Sequence, residues 1–227
     1  MKNKFLHLSF EKNLFFSEAV NNAYKHSNGE LILVLNSDVI LKENFLQEIN
    51  EVIKREPDSD CLGVTLKRPD GLIDSKGIKA GLSMRPVDVK ENSGNLIGPA
   101  GSAFVITKRF AEKLVKKYGN ILDPEISFFY ADLAFAYQLK KENAVFKVLN
   151  QAVAIHKRSA STPKYNSIFP FAYCRLTKEY KELLIENRRA FLKKYFKLKN
   201  DLYKMPFISA YNLLCRIFLK DFFNFKN

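Results

Sequence analysis

Three cysteines in 227 residues, Cys61, Cys174 and Cys215, are too few, too far apart and odd in number. They give neither a disulfide framework nor a zinc-ligand spacing, which fits a reducing compartment. No run of about 18 uncharged apolar residues occurs, so no membrane span is expected. The start, Met1-Lys2-Asn3-Lys4, is basic, but no apolar h-region or small-residue cleavage site follows it, so no signal peptide is expected. Internal repeats and low-complexity segments are absent. Acids are also scarce: 24 Asp and Glu face 37 Lys and Arg, a net charge of +13.

What is present is a folding composition, 47% hydrophobic and 13% aromatic. The charge is uneven. From residue 161 on, 14 Lys/Arg stand against five Asp/Glu, and the same segment holds 15 of the 30 aromatics. Basic and aromatic residues together suit an anionic membrane surface, a nucleic acid or a helical packing unit with solvated lysines. The basic residues fall on helices without a recognisable nucleic-acid motif, so no nucleic-acid partner is expected.

The most informative stretch is Leu31-Ile32-Leu33-Val34-Leu35-Asn36-Ser37-Asp38. Five aliphatic residues read as a buried strand of a parallel sheet. Ligands of open α/β sheets bind beyond the carboxyl ends of the strands, where Asp38 falls. A carboxylate there suits a hard cation carrying a phosphate group. The tripeptide Asn36-Ser37-Asp38 also reads as a turn leading to a helix cap.

Along the chain, Phe5 to Phe10 reads as a strand. Ser17 reads as the cap of a helix through Ala23 and Tyr24, closed by Asn28-Gly29. A helix is expected from Glu43 to Arg55 and a strand from Cys61 to Leu66. This strand–helix alternation predicts a parallel sheet. Leu72 to Lys79 reads as an exposed strand and loop. A glycine-rich segment, Gly94 to Gly101, leads into a strand over residues 102–106. Lys108 to Tyr118 reads as a helix, and so does Ile126 to Lys141, with Asp132 alone in its apolar part. Val145 to Leu149 and Ala152 to Ile155 read as two strands, the second ending at His156. The tail is helical from Phe171 to about Lys199 and again from Pro206. In the last helix Phe207, Tyr211, Leu214, Phe218 and Phe222 share a spacing that fits either core packing or a membrane surface.

Asp38, Asp132 and His156 each follow or interrupt an apolar element. A buried carboxylate without a partner is costly, so Asp132 calls for a partner or a role. In this order the motifs resemble the inverting GT-A glycosyltransferases of family 2, especially the branch containing rhamnosyltransferases. Asn13-Leu14-Phe15-Phe16-Ser17-Glu18-Ala19-Val20-Asn21 is similar to that branch's Asn-x-Gly segment, with Phe15 where Gly is usual. Leu35-Asn36-Ser37-Asp38 matches its Leu-Asn-x-Asp metal motif. Gly98-Pro99-Ala100-Gly101-Ser102-Ala103 fits its acceptor-side loop, and Lys108-Arg109 its basic pair. Phe128-Phe129-Tyr130-Ala131-Asp132-Leu133-Ala134 resembles its base motif, with Ala131 and Ala134 where acids are usual. His156-Lys157-Arg158-Ser159 resembles its histidine segment.

The resemblance implies an incomplete GT-A, Rossmann-like α/β domain over residues 1–160, a mixed sheet flanked by helices, with a basic-aromatic helical region over 161–227. It implies transfer of a sugar with inversion from a nucleotide-sugar donor to a glycan or lipid-linked acceptor, in surface-polysaccharide assembly. Asp132 is then the catalytic base, with Asn13, Asn36, Asp38 and His156 on the donor and its diphosphate. Gly98, Gly101 and Ser102 lie on the acceptor side, and Mg²⁺ or Mn²⁺ sits on Asp38 and His156. Leu-Asn-x-Asp leans towards a deoxythymidine-diphosphate-rhamnose donor. A complete family domain opens with a strand–helix–strand segment for the nucleoside, which has no counterpart here, so Phe5 to Phe10 corresponds to the third strand. The expectation is therefore a chain that binds donor weakly by itself, or a non-catalytic remnant or subunit completed by an N-terminal partner chain. The expected location is cytoplasmic, with peripheral contact at the inner membrane face.

Overall fold

The computed structural model describes residues 6–91, 96–158 and 176–218. The expectations for Gly94, Ser159, Cys174 and Phe222, and for the start of the tail at Phe171, lie outside these residues. Helix α1 (Phe15–Tyr24) precedes β1 (Leu31–Leu35) and β2 (Val39–Leu41). Helix α2 (Phe45–Arg55) leads to β3 (Cys61–Lys67) and β4 (Ile73–Ser75). A small hairpin, β5 (Ile78–Ala80) and β6 (Pro86–Asp88), comes next. Then follow β7 (Ala103–Thr107), α3 (Lys108–Tyr118), α4 (Ala131–Lys141) and β8 (Phe146–His156). The described tail is helical: α5 (Lys178–Tyr195), a short α6 (Leu198–Asp201) and α7 (Met205–Phe218).

The main sheet has the order β1-β7-β3-β8-β2, with β4 beside β3. It is mixed and flanked by helices, the class the resemblance implies. It is not the parallel sheet that the strand–helix–strand opening predicts. β7 inserts between β1 and β3 and runs antiparallel to both. Among the described strands of this sheet, only β3 and β8 pair in parallel. Aliphatic content alone does not report direction or burial: β1, read as a buried parallel strand, is a partly exposed edge strand antiparallel to β7.

Alternation assigns the two faces. Ile32, Val34, Cys61, Phe104 and Ile106 point to a core with α3 and with Phe135 and Leu139 of α4. Leu31, Leu33, Leu62, Val64, Leu66, Ala103 and Val105 point the other way, onto Phe45 and Ile49 of α2. A third core joins α4 to Leu184, Phe191 and Tyr195 of α5 and Ile208 of α7. The outer edge of β1 carries no strand among the described residues. Beside it, an open groove of about 440 Å³ runs between α1 and β1 as far as Asn36 and Ser37.

Several boundaries differ from the sequence reading. Residues 6–10 form no strand, and Leu6 and Phe10 are exposed. Ser17 does not cap α1. It lies buried within the helix and donates its Oγ hydrogen to the Ile126 carbonyl at 2.7 Å. Asn21 exchanges two hydrogen bonds of 2.9 Å with the Leu122 backbone, so α1 is tied to the loop before α4. Helix α4 starts at Ala131, not Ile126, because Tyr130 is left-handed (φ 68°) and breaks any helix running through it. The two strands expected after residue 145 are one, β8, bent by irregular pairing with β3 around Thr65. The segment read as exposed, Leu72 to Lys79, holds β4, in which Asp74 and Ser75 are almost fully buried.

Candidate active site

Asp38 ends the turn that joins β1 to β2, closed by the Val39 N–H on the Asn36 carbonyl (3.2 Å). β2 pairs with the end of β8 and sets Val39 opposite His156. The Lys157 N–H then reaches the Asp38 carbonyl at 2.9 Å. This register brings the Asp38 carboxylate to 3.4 Å from His156 Nε2. On the far side of the ring, His156 Nδ1 lies 2.8 Å from Asp74 Oδ2. Asp74 arrives by another route: β4 pairs with β3 (Leu66 opposite Ser75), and β3 pairs with β8 (Leu66 opposite Ala154).

Asp74 also takes Arg158 Nε at 2.6 Å, and Arg158 Nη2 continues to Asp88 at 2.7 Å. Burial works against the charge on Asp74, but hydrogen bonds from His156 and Arg158 outweigh it and hold the carboxyl below its usual range. An imidazole that donates Nδ1–H to Asp74 has Nε2 on the side of Asp38, the orientation a metal ligand needs.

Asp132 lies in the first turn of α4, fixed by the left-handed Tyr130 before it. The Tyr130 hydroxyl accepts from Arg188 Nη1 at 2.8 Å. Burial pushes the Asp132 carboxyl up to about 6, and the Asp88 carboxylate adds to the rise. Backbone N–H groups, including those of Leu133 (2.7 Å) and Gly101, act in the opposite sense. Asp88, the last member of the Asp38–His156–Asp74–Arg158 chain, thus acts on Asp132 through its charge.

The loop 98–102 makes a second link. The Asn36 N–H donates to the Ser102 carbonyl at 2.9 Å. A Cβ on Gly101 would stand 3.3 Å from the Asp132 Cβ. A Cβ on Gly98 would stand 2.4 Å from the Ala136 Cβ, so Gly98 is needed for the loop to lie against α4. Asn13 is exposed at the start of α1, where its Oδ1 accepts from Phe15 N–H at 2.9 Å. Among the described residues no hydrogen bond joins Asn13 or Gly98 to the Asp38 cluster. The basic pair is structural: Arg109 bonds Asp60 at 2.8 Å, and Lys108 lies 3.9 Å from Glu30. Ala131 and Ala134, which replace the usual acids, are buried in the α4 core.

Asp74, Asp88 and Arg158 are site residues that the sequence reading did not single out. A weak signal exists for Asp74, an acid directly after Leu72-Ile73. Another signal is backbone strain: of the five non-glycine residues with positive φ among those described, Phe15, Tyr130 and Arg158 lie within two positions of Asn13, Asp132 and His156.

The donor set fits a divalent cation in part. A separation of 3.4 Å suits two ligands on one ion, and Asp74 behind the imidazole is the usual support for a metal-bound histidine. No three His, Cys, Asp or Glu side chains are grouped to hold a metal among the described residues. Remaining ligands would come from diphosphate oxygens and water, as is common for such ions.

Residues 1–117 match the family model described as Glycosyl transferase family 2. That is just over half of the 227 residues, and the chain belongs to this family. The match includes Asn13, Asn36, Asp38, Asp74, Asp88 and the loop 98–102, whereas Asp132 and His156 lie beyond it. No curated protein matches the sequence. Among solved structures, residues 1–349 of S. aureus TarS in complex with UDP-GlcNAc are similar, with 16% identity and a TM-score of 0.47. The alignment covers 91% of this chain and 64% of that chain, so this chain spans less than two thirds of that structure's length.

Proposed function

We propose that this chain transfers a sugar, with inversion, from a nucleotide-sugar donor to a hydroxyl of a glycan or lipid-linked acceptor in surface-polysaccharide assembly. The observation that carries the reading is the polar chain Asp38–His156–Asp74–Arg158–Asp88, together with Asp132, a carboxyl that burial raises to about 6 and that feels the charge of Asp88. Asp38 and His156 would hold Mg²⁺ or Mn²⁺. The imidazole counts against Mg²⁺, a hard ion that prefers oxygen. Bound there, the ion would neutralise charge that develops on the departing diphosphate.

Asp132 takes the proton of the acceptor hydroxyl as its oxygen attacks the anomeric carbon. Its raised pKa makes the carboxylate a stronger base than an exposed one. Attack opposite the departing diphosphate inverts the anomeric centre in a single displacement. The Asn36–Ser102 hydrogen bond ties the end of β1 to the acceptor-side loop, whose Gly101 adjoins Asp132, and resemblance assigns Asn13 to the donor side. The donor would be a deoxythymidine-diphosphate sugar by the Leu-Asn-x-Asp motif. The test is donor consumption with Mn²⁺ and a panel of nucleotide sugars. A donor turned over by the wild type and slowed at least a hundredfold in Asp132→Asn supports the reading. Equal turnover by both proteins opposes it.

A second reading, a subunit completed by a partner polypeptide, is favoured by one observation. The backbone groups on the outer edge of β1 have no strand partner among the described residues, and an apolar groove adjoins them. Such an edge suits an added strand. Micromolar binding of a nucleoside diphosphate by this chain alone would argue against that reading.

A further inference from the structure

Helix α7 carries large apolar side chains outside the face that the protein buries. Its sequence from Met205 to Phe218 contains a single charged residue, Arg216. Ile208, Tyr211 and Cys215, at i, i+3 and i+7, face the core. Phe207 (47% exposed), Leu213 (57%) and Leu214 (37%) do not. The preceding turn adds Leu202 (61%) and Tyr203 (63%). The sequence spacing grouped Phe207 and Leu214 with Tyr211 on one face. In the structure Tyr211 turns inward and the other two turn outward. A patch of large exposed apolar side chains within one short segment marks a contact surface.

The charges around this patch select its partner. Between Phe196 and Phe218 the only acid is Asp201, which is buried and paired with Lys204 at 2.6 Å. Lys197, Lys199 and Arg216 are exposed. The segment therefore presents apolar and cationic groups to solvent and no exposed carboxylate. A second copy docked through this face about a two-fold axis would bring the same cations together with no facing acid. An anionic lipid surface satisfies both features: apolar side chains enter the acyl boundary and lysines meet the headgroup phosphates.

We propose that the outward face of α7, with the turn at Leu202-Tyr203, docks on a membrane surface rich in anionic phospholipid. None of its residues belongs to the Asp38–Asp132 site, so the two proposals fail separately. The test is co-sedimentation of the full chain with phosphatidylcholine vesicles, with and without phosphatidylglycerol. The variants are Phe207→Ser combined with Leu213→Ser, and as a control Leu46→Ser, which alters an exposed leucine on α2 (66%). Circular dichroism melts verify folding. The expected result is binding to phosphatidylglycerol vesicles only, weakened by salt, and reduced at least tenfold in the double variant but not in Leu46→Ser. Three results would each overturn the proposal: no wild-type binding, equal binding by the double variant, or a wild-type dimer in sedimentation that the double variant dissolves.

Discussion

Asp132 is the residue where stability and activity pull apart. Its carboxyl moves from an ordinary 3.8 to about 6 on folding, mainly through burial. Below pH 3.8 both folded and unfolded forms are neutral there. Between the two values the folded protein keeps the proton that the unfolded chain releases, so stability declines as pH rises through this window. Asp132→Asn is therefore expected to be more stable than wild type at pH 7, by about 2–3 kcal/mol, in urea titrations. The same variant is expected to lose about 10²- to 10⁴-fold in kcat, and the acid limb of the wild-type kcat/KM profile is expected near pH 6. Asp74 shows the opposite sign. Its ion pairs contribute stability above the ordinary carboxylate pKa of 3.8, which is lost as pH falls below it. Asp74→Asn is expected to cost about 3 kcal/mol, since Arg158 loses a buried charge partner and His156 Nδ1 a carboxylate neighbour. It is also expected to weaken Mn²⁺ binding ten- to a hundredfold, read by electron paramagnetic resonance. Residues that end or interrupt apolar runs, Asp38, Asp132 and His156, were legible in the sequence. Asp74 and Arg158 were not, because their pairing joins positions 84 apart and depends on two strand registers.

At the scale of elements, tight approach explains the loop 98–102. Gly98→Ala would put a methyl 2.4 Å from the Ala136 Cβ and 2.8 Å from its Cα. Backbone and helix must then separate, at a cost of about 2 kcal/mol and a fall of about 6 °C in Tm, measured by thermal denaturation. Loss of activity at Gly98 would thus follow from displacement of the loop, since Gly98 makes no hydrogen bond within the Asp38 cluster. Strongly periodic elements were readable from spacing: β1, α2, β3, β7 and α3 lie close to where the sequence puts them. The ends were not. α4 begins late because Tyr130, held by Arg188, adopts a left-handed conformation that helix-forming neighbours do not announce. Sheet direction was also hidden, since β7, distant in sequence, takes the place beside β1 that a local reading gives to β3.

At the scale of the whole molecule, the chain is a family 2 glycosyltransferase sheet with a helical tail built onto the same core as α4. The excess of basic and aromatic residues after position 161 was visible from composition alone. How it divides between an inward and an outward face of α7 was not, because helical spacing fixes which residues are neighbours but not which side meets the core. The central claim is that Asp38 and His156 form a metal–diphosphate site supported by Asp74. Its most direct test is titration of Mn²⁺ into the chain with a nucleoside diphosphate present, followed by electron paramagnetic resonance. Saturable Mn²⁺ binding is expected for the wild type, and binding at least tenfold weaker for Asp38→Ala and His156→Ala. Equal Mn²⁺ binding by all three proteins would contradict it.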